Sequence, residues 1–405
     1  MPPTPNSESW IRLNSSTVSE TYQYDQQKRK LSKAYRNRKL TIDVLSDPIL
    51  QVAVCSGLLI SGLSLTISRF ASTIVTWESG RVAVYVVVFL TLLFALELPV
   101  AWYEGYRIDH EFGLSHQNFK AWIIDFLKAA LLSYVVTVPL SVGLYLLIQL
   151  SSFWWLWASL AYVILELVAS TILPFIVVPM FYKLKPYSDA IQRDQLLHMA
   201  KKAGAKNIQR VMMANESARS GKANAFFTGL GGTRTMVLFD NLVTGFTPRE
   251  VITVVAHELG HYVNRDIWLE AGLTALLSVP ELFMANVALQ WGIGRFGILS
   301  QADPTGLPLI VIAVSLMSFF LMPISNGISR VIERKADEFS LRMAEDPQAQ
   351  ASTERRLADM NLSDDKPHWL IELLFYTHPP AWKRIKMAED WKPVNVDLGN
   401  AKHEV

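Results

Sequence analysis

Six stretches of the chain, near residues 49–70, 82–103, 121–149, 153–181, 267–292 and 306–328, are apolar over most of their length. As a helix, each is long enough to cross about 30 Å of hydrocarbon, which takes about 20 residues. The third and fourth are separated by only a few residues and predict a tight hairpin. Pro174 and Pro179 are expected to kink or end the fourth. The segment 182–266 has a different pattern. "SDAIQRDQLLHMAKKAG" has a helical period, "IQRVMMA" predicts a short strand, and "KANAFFTGLGGTRTMVLFD" predicts a hairpin closed by a Gly-Gly turn. "TPRE" then supplies an N-cap threonine, a proline at the first helical position and Glu250 three residues after the cap, the signature of a helix start.

These elements predict a polytopic α-helical membrane protein carrying a small α+β unit that the last two spans split. A polar and basic segment (1–47) comes first, followed by a four-span region (48–181) with a loop at 104–120. The α+β unit (182–266), a two-span hairpin (267–328) and a C-terminal part (329–405) complete the chain. "MPPTPNSES" reads as a disordered lead and "YDQQKRKLSKAYRNRKL" as a basic helix approaching the membrane. The first 45 residues are too polar for a signal peptide.

Composition agrees with the pattern. Of 405 residues, 51% are hydrophobic and 18% charged, fewer charges than soluble domains carry. The mean hydropathy is +0.22. A net charge of +2, with no basic block interleaved with aromatics, predicts no nucleic-acid partner. The single cysteine, Cys55, excludes an intrachain disulfide and a cysteine-based zinc site. Lys28, Arg29, Lys30, Lys33, Arg36, Arg38 and Lys39 precede the first span, while the opposite loops offer little beyond Arg69, Arg81 and Arg295. The N-terminus is therefore expected in the cytoplasm, and six spans return the 182–266 region and the tail to the same side.

The helix begun at Thr247 carries "HELGH". His257 and His261 are four residues apart and share a helix face, so both imidazoles can aim at one metal, with Glu258 beside the open coordination position as a general base. The competing reading is a pair of histidines packed against a core. A catalytic site of this type needs a third ligand. "SRVIERKADEFS" follows the last span, where Glu333 can complete the site and Asp337 can hold a ligand imidazole in one tautomer. Alone, "ERKADE" would be an ordinary solvated face of ion pairs. The hairpin 267–328 delivers both helices to one membrane face, and that agreement favours one Zn²⁺ per chain.

Several motifs in order, "YRIDHEFGLSHQNF", "PMFYKLKP", "NAFFTG", "LFDNLV", "HELGH", "NGISRVIERKAD" and "THPPAWKRI", cover roughly residues 100–390. Together they resemble the type I CAAX prenyl proteases, which are membrane zinc endopeptidases. The likeness is strongest to bacterial members, because one fewer span than in eukaryotic members and a short link at 293–305 depart from the eukaryotic pattern. That favours the bacterial inner membrane over the endoplasmic reticulum. The resemblance implies a barrel of membrane helices around a water-filled chamber, and His257, His261 and Glu333 as zinc ligands with Glu258 as general base. It also implies that Asn224 and Ala225 belong to an edge strand that pairs with a substrate backbone. His378 and Arg384 match positions near the metal, either of which could stabilise an oxyanion. Expected partners are a peptide or protein substrate, lipid-modified or membrane-embedded, and the lipid bilayer.

Glu97, Glu166 and Glu281 fall within predicted spans, where a carboxylate is costly and faces a cavity or a partner. "ESARSGKANA" lacks the first glycine of a P-loop. His110, Glu111 and His116 are spaced wrongly for one helix-face metal and read as structural, and His198, His368 and His403 read as surface residues. Besides a CAAX-prenyl-protease-like endopeptidase, the sequence allows a quality-control protease for membrane proteins. It also allows an inactive scaffold or transporter. An intramembrane protease is disfavoured because 306–328 contains no acidic residue.

Overall fold

The computed structural model describes residues 21–44, 49–228 and 234–393. The predicted disordered lead, the Gly-Gly turn and His403 lie outside these residues. The basic segment is helix α1 (Gln26–Val44). The first predicted span is a bent pair instead of one helix: α2 (Gln51–Ile60) and α3 (Leu63–Ile74) meet at 71°. Gly62 is the cause. Its φ of 75° is left-handed, a conformation glycine adopts without a Cβ clash, and it ends one helix and starts the next.

The other spans follow the hydropathy. They are α4 (Glu78–Ala101), α5 (Phe119–Leu150) and α6 (Trp154–Phe181). A π-helical stretch, Trp102–Ile108, extends α4. A 48° bend separates Trp154–Ser170 from Phe175–Phe181 within the fourth span, the region where prolines were expected to interrupt it. After the α+β unit come α10 (Asp266–Gly292) and α11 (Leu307–Ala344). The "ERKAD" motif was expected on a separate helix after the last span. It lies instead on the same 38-residue helix, because good helix formers follow Gly327 without a break until Glu345 turns left-handed at φ 51°.

The membrane helices close a ring. The α2–α3 pair touches α4, α4 touches α5, α5 touches α6, α6 touches α10, α10 touches α11, and α11 returns to α2. A continuous apolar core forms where the ends of these helices meet, around Cys55, Tyr85, Tyr145, Trp154, Leu289, Ile298 and Leu309. In the four continuous spans, only 11–22% of the apolar window is buried, so most of their apolar surface is not covered by other parts of the described chain. The carboxylates in the ring find partners from facing helices: Thr274 donates to Glu166 at 3.2 Å and Ser318 to Glu281 at 2.7 Å. Glu97 lines a small cavity of about 180 Å³ with Gln51 and Glu104.

The α+β unit holds a four-stranded sheet. Its strands are β1 (Leu184–Pro186), β2 (Ile208–Ala214), β3 (Ala225–Thr228) and β4 (Arg234–Phe239), in the order β1-β2-β4-β3. β2 and β4 are parallel, and β1–β2 and β3–β4 antiparallel, so β3 is an edge strand. Helices α7 (Ala190–Lys202), α8 (Asp240–Gly245) and α9 (Pro248–Asn264) follow the strands, and Leu196, Val211, Met236, Leu238, Val255 and Leu259 build the core between them. The C-terminal helices are α12 (Pro347–Met360), α13 (Trp369–Phe375) and α14 (Ala381–Asp390).

The start of α9 is the capping box read from "TPRE". Glu250 N–H donates to Thr247 Oγ1 at 3.2 Å, and Thr247 N–H to Glu250 Oε2 at 2.8 Å. Glu250 is fully buried and also pairs with Arg356 of α12 at 3.1 Å, so the cap ties α9 to the C-terminal part. Further along, α9 packs on α11 with almost no space between backbones. A Cβ at Gly260 would lie 3.0 Å from Ala336 Cα and 3.2 Å from Ala336 O. Gly260→Ala is therefore expected to lower stability by about 1–3 kcal/mol, and Gly260→Leu to separate the helices and lose bound metal. Thermal melting of the detergent-solubilised protein together with metal analysis checks both; an alanine variant as stable as the parent would contradict the packing.

Candidate metal centre

α9 ends at Asn264, Arg265 adopts a left-handed φ of 57°, and Asp266 opens α10. This abrupt turn keeps His257 and His261 on the α9 face that meets α11, and Glu333 and Asp337 lie one turn apart on the facing stretch of α11. The result is a compact donor set. His257 Nε2 lies 3.2 Å from His261 Nε2 and 3.2 Å from Glu333 Oε2, and His261 Nε2 lies 3.7 Å from Glu333 Oε1. Ligand atoms of the three residues all fall within 4.8 Å of one another.

The other ring nitrogen of each histidine is committed. His257 Nδ1 pairs with Asp337 Oδ1 at 2.8 Å, and His261 Nδ1 with Asp266 Oδ2 at 2.8 Å. A carboxylate accepting the Nδ1 proton fixes the tautomer with a lone pair on Nε2. Both lone pairs then face Glu333, whose Oε2 is buried without a hydrogen-bond partner. Three electron-rich atoms converging on one another fit a cation between them. The electrostatics agree. Burial works against charge on His257, but the Asp337 and Glu333 carboxylates outweigh it and raise the imidazole to about 10. The cluster is a trap for positive charge.

Arg384 braces the carboxylate behind His257. Its Nε donates to Asp337 Oδ2 at 2.7 Å, Nη2 bonds Asp337 Oδ1, and Nη1 pairs with Glu354 at 2.9 Å. Each of its three guanidinium nitrogens thus meets a carboxylate. His378 is different: it is exposed, its Nε2 lies 3.1 Å from Glu333 Oε1, and its Nδ1 pairs with Thr377 Oγ1 at 2.8 Å. Desolvation by the surrounding protein, the largest influence, lowers its basicity.

Glu258 borders two cavities that meet at the donor set. One, of about 770 Å³, is lined by Phe226, Phe227, Thr228, His261, Trp268 and Glu333. The other, of about 480 Å³, is lined by Asn224, His257, Glu354, His378 and Arg384. Burial raises the Glu258 carboxyl above the usual range, toward the proton affinity a general base needs. β3 runs alongside, from Asn224 at the second cavity to Thr228 at the first. Asn224 is exposed, and Ala225 is buried and pairs with Leu238.

All nine residues singled out from the sequence thus lie at or beside one centre. Two of its members were missed. Asp266 sits five residues beyond His261, hidden at a helix break, and Glu354 belongs to a helix whose pattern gives no sign that its carboxylate is buried. His110 and His116 are structural, bonded to the carbonyls of Tyr106 and Gln117 and of Ser217. His198 and His368 are exposed, and His368 caps α13.

Comparison with known proteins agrees with this geometry. Residues 188–392, just over half of the chain, match the model of peptidase family M48. The chain belongs to peptidase family M48. Residues 12–183 match the CAAX prenyl protease N-terminal model, described as five membrane helices; the apolar helices α2–α6 occupy this range, the first two as a bent pair. An uncharacterised metalloprotease of Bacillus subtilis, YhfN, is 27% identical, covering 82% of this chain and 79% of its own. CAAX prenyl protease 1 of Saccharomyces cerevisiae is also 27% identical, over 73% and 70%. The crystal structure of S. mikatae Ste24p superposes with a TM-score of 0.79 at 22% identity, covering 91% and 90%, and shows the shared fold. The protein is a multi-pass membrane metalloprotease of this family.

The carboxylate behind His261 carries a measurable consequence. Asp266→Ala is expected to weaken metal binding about 10–100-fold, as loss of a carboxylate behind a ligand imidazole does. Competition with a chromophoric chelator measures this, and unchanged affinity would show that Asp266 plays no part in orienting His261.

Proposed function

We propose that this M48 protein is a zinc endopeptidase in which His257, His261 and Glu333 hold the metal. The observation that carries this reading is the convergence of two carboxylate-backed imidazoles and a buried, unpartnered carboxylate oxygen on one point. Two imidazoles, a carboxylate and no thiol are a donor set that suits catalytic zinc. Zinc bound there supplies a Lewis acid that acidifies water and polarises the scissile carbonyl. Glu258, reaching both cavities, takes the proton of the attacking water and passes it to the leaving amine. His378, which lines the second cavity, hydrogen-bonds the developing oxyanion. Arg384 holds Asp337, which holds His257.

The edge of β3, with Asn224 and Ala225 at its start, accepts the substrate backbone as an added strand. The substrate is a peptide or a membrane-associated protein, with a CAAX-prenyl-protease-like specificity suggested by the yeast relative. A quality-control role has support of its own: the first cavity reaches Ser170 of α6 and Ile267 and Trp268 of α10, so a segment leaving the membrane ring arrives directly at the centre. Comparing prenylated peptides with unfolded membrane segments separates the two. Intact ligands argue against an inactive scaffold.

α1 supports an orientation. Arg29 pairs with Asp359 of α12 at 2.5 Å, which favours the basic N-terminal helix and the peptidase unit on one face of the membrane. The lysines and arginines of α1 favour the cytoplasm for that face, and we favour the bacterial plasma membrane.

Glu258→Gln is expected to keep about one zinc per chain and to lose about 10²–10⁴-fold in cleavage rate, the contribution of a general base. His257→Ala is expected to lose the metal, and a strong zinc chelator to abolish activity reversibly. Metal analysis beside a fluorogenic peptide assay checks all three. Full activity in Glu258→Gln, or retained stoichiometric zinc in His257→Ala, would overturn the assignment.

A further inference from the structure

A further cavity, of about 790 Å³, lies between α11 and α14. Arg384 is the one residue it shares with the two cavities at the metal centre, and its floor is the Arg384–Asp337 pair. On α11 the wall starts at Gly327 and rises through Val331, Arg334 and Glu338 to Arg342, residues three or four apart on one helix face. The apolar run of that span ends at residue 328. The groove therefore opens where α11 leaves the hydrocarbon and climbs about 22 Å away from it.

α13 is fixed at the same level. Asn326 Nδ2 donates to the Leu374 carbonyl at 2.5 Å, and Arg330 Nη1 to the carbonyls of Glu372 and Tyr376 at 2.8 and 2.5 Å. These bonds hold "WLIELLF" against the last residues of the span. Trp369, Leu370 and Leu373 of α13 are nevertheless exposed, as is Val331 of α11 beside the groove. A tryptophan among leucines at the end of a span is the composition of a membrane–water boundary. The surface is continuous with the apolar spans, so lipid covers it.

The groove that opens beside this apolar edge is basic. Its walls carry seven lysines and arginines against four carboxylates, an excess of three positive charges that attracts anions. Asp337 is taken by Arg384. The other three carboxylates form ion pairs at the surface: Glu372 with Lys383 at 2.5 Å, Glu338 with Arg334 at 3.1 Å, and Asp390 with Lys386 at 2.8 Å. Such exposed pairs contribute about 0–1 kcal/mol each, so an arriving anion can share their cations. The carbonyls that Arg330 meets carry no net charge and leave its own in place.

A basic groove that opens at a lipid boundary matches a molecule with a phosphate head and apolar chains. We propose that it binds one anionic phospholipid, with the phosphodiester among Arg330, Arg334 and Lys383 and the acyl chains beside Val331 and α13. A free phosphate would use the cations and leave the apolar edge without a role. The lipid ties to the membrane surface the segment that carries His378, which links α13 to α14. The site lies apart from the peptidase cavities, and its occupancy does not depend on the catalytic reading above.

The test uses the full-length protein in detergent, titrated with phosphatidylglycerol or with phosphatidylcholine of the same acyl chains. Bound lipid is counted by native mass spectrometry. Phosphatidylglycerol is expected to bind at one site, about tenfold more tightly than phosphatidylcholine. The difference is expected to vanish in Arg334→Gln/Lys383→Gln, while metal content and melting temperature stay at the parent values. Lys30→Gln/Lys33→Gln, on the exposed face of α1, is expected to keep it. In the unaltered protein the preference is also expected to fade as ammonium acetate rises from about 0.05 to about 0.5 M, a range over which exposed charges become screened. Equal affinities for the two lipids would overturn the proposal, as would a preference that survives Arg334→Gln/Lys383→Gln or high salt, or one lost as fully in Lys30→Gln/Lys33→Gln. Displacement of phosphatidylglycerol by inorganic phosphate at equal concentration would mean that the groove takes a free phosphate and not a lipid.

Discussion

The close approach of α9 and α11 at Gly260 and Ala336 is the constraint on which the rest of the site depends. A helix can present two imidazoles at one point by itself, because residues four apart share a face. It cannot supply a third donor to that point, which lies off its own surface. The donor has to come from a second helix brought nearly into backbone contact, and a side chain at position 260 would hold the two apart. The ring of spans serves this contact. α10 carries the chain away from the centre and α11 returns it as one uninterrupted helix whose last turns bear Glu333 and Asp337.

Around the convergent donors lies a layer of carboxylates that decides what the imidazoles can do. Asp337 and Asp266 each take one Nδ1, and Arg384 and Glu354 extend the network behind Asp337. Burying so many charges is tolerable only because each meets an opposite charge or a hydrogen-bond donor. The exception is the unpartnered oxygen of Glu333, which faces the place of a cation. Arg384 and His378 are six residues apart in "THPPAWKR"; Arg384 pairs with Asp337 and Glu354, and His378 with Glu333.

Two cavities border this chemistry. One cavity at the centre reaches α6 and α10, and the other carries Asn224, His378 and Arg384 on its walls. The N-terminal segment, which precedes every span, takes part in the peptidase unit through Asp359.

Much of this was legible in the residues. The spans, the capping box at Thr247, the hairpin before α9 and the ligand spacing are local patterns, and each is dictated by a periodicity of 3.6 or 2 residues or by the needs of a helix end. Periodicity could not reveal the break at Gly62 or the continuity of α11, because a hydropathy window does not distinguish a kinked span from a straight one, or a span that stops at the membrane surface from one that runs on. Asp266 and Glu354 were out of reach for another reason: whether a carboxylate is solvated or buried against an imidazole or a guanidinium depends on which remote helix covers it. The pairing of Arg384 with Asp337 and Glu354 was likewise invisible in the residues. The sequence by itself determined the elements and the residues able to bind a metal. Only the tertiary structure decided their partners, since burial and pairing are properties of surfaces that meet after the chain has folded.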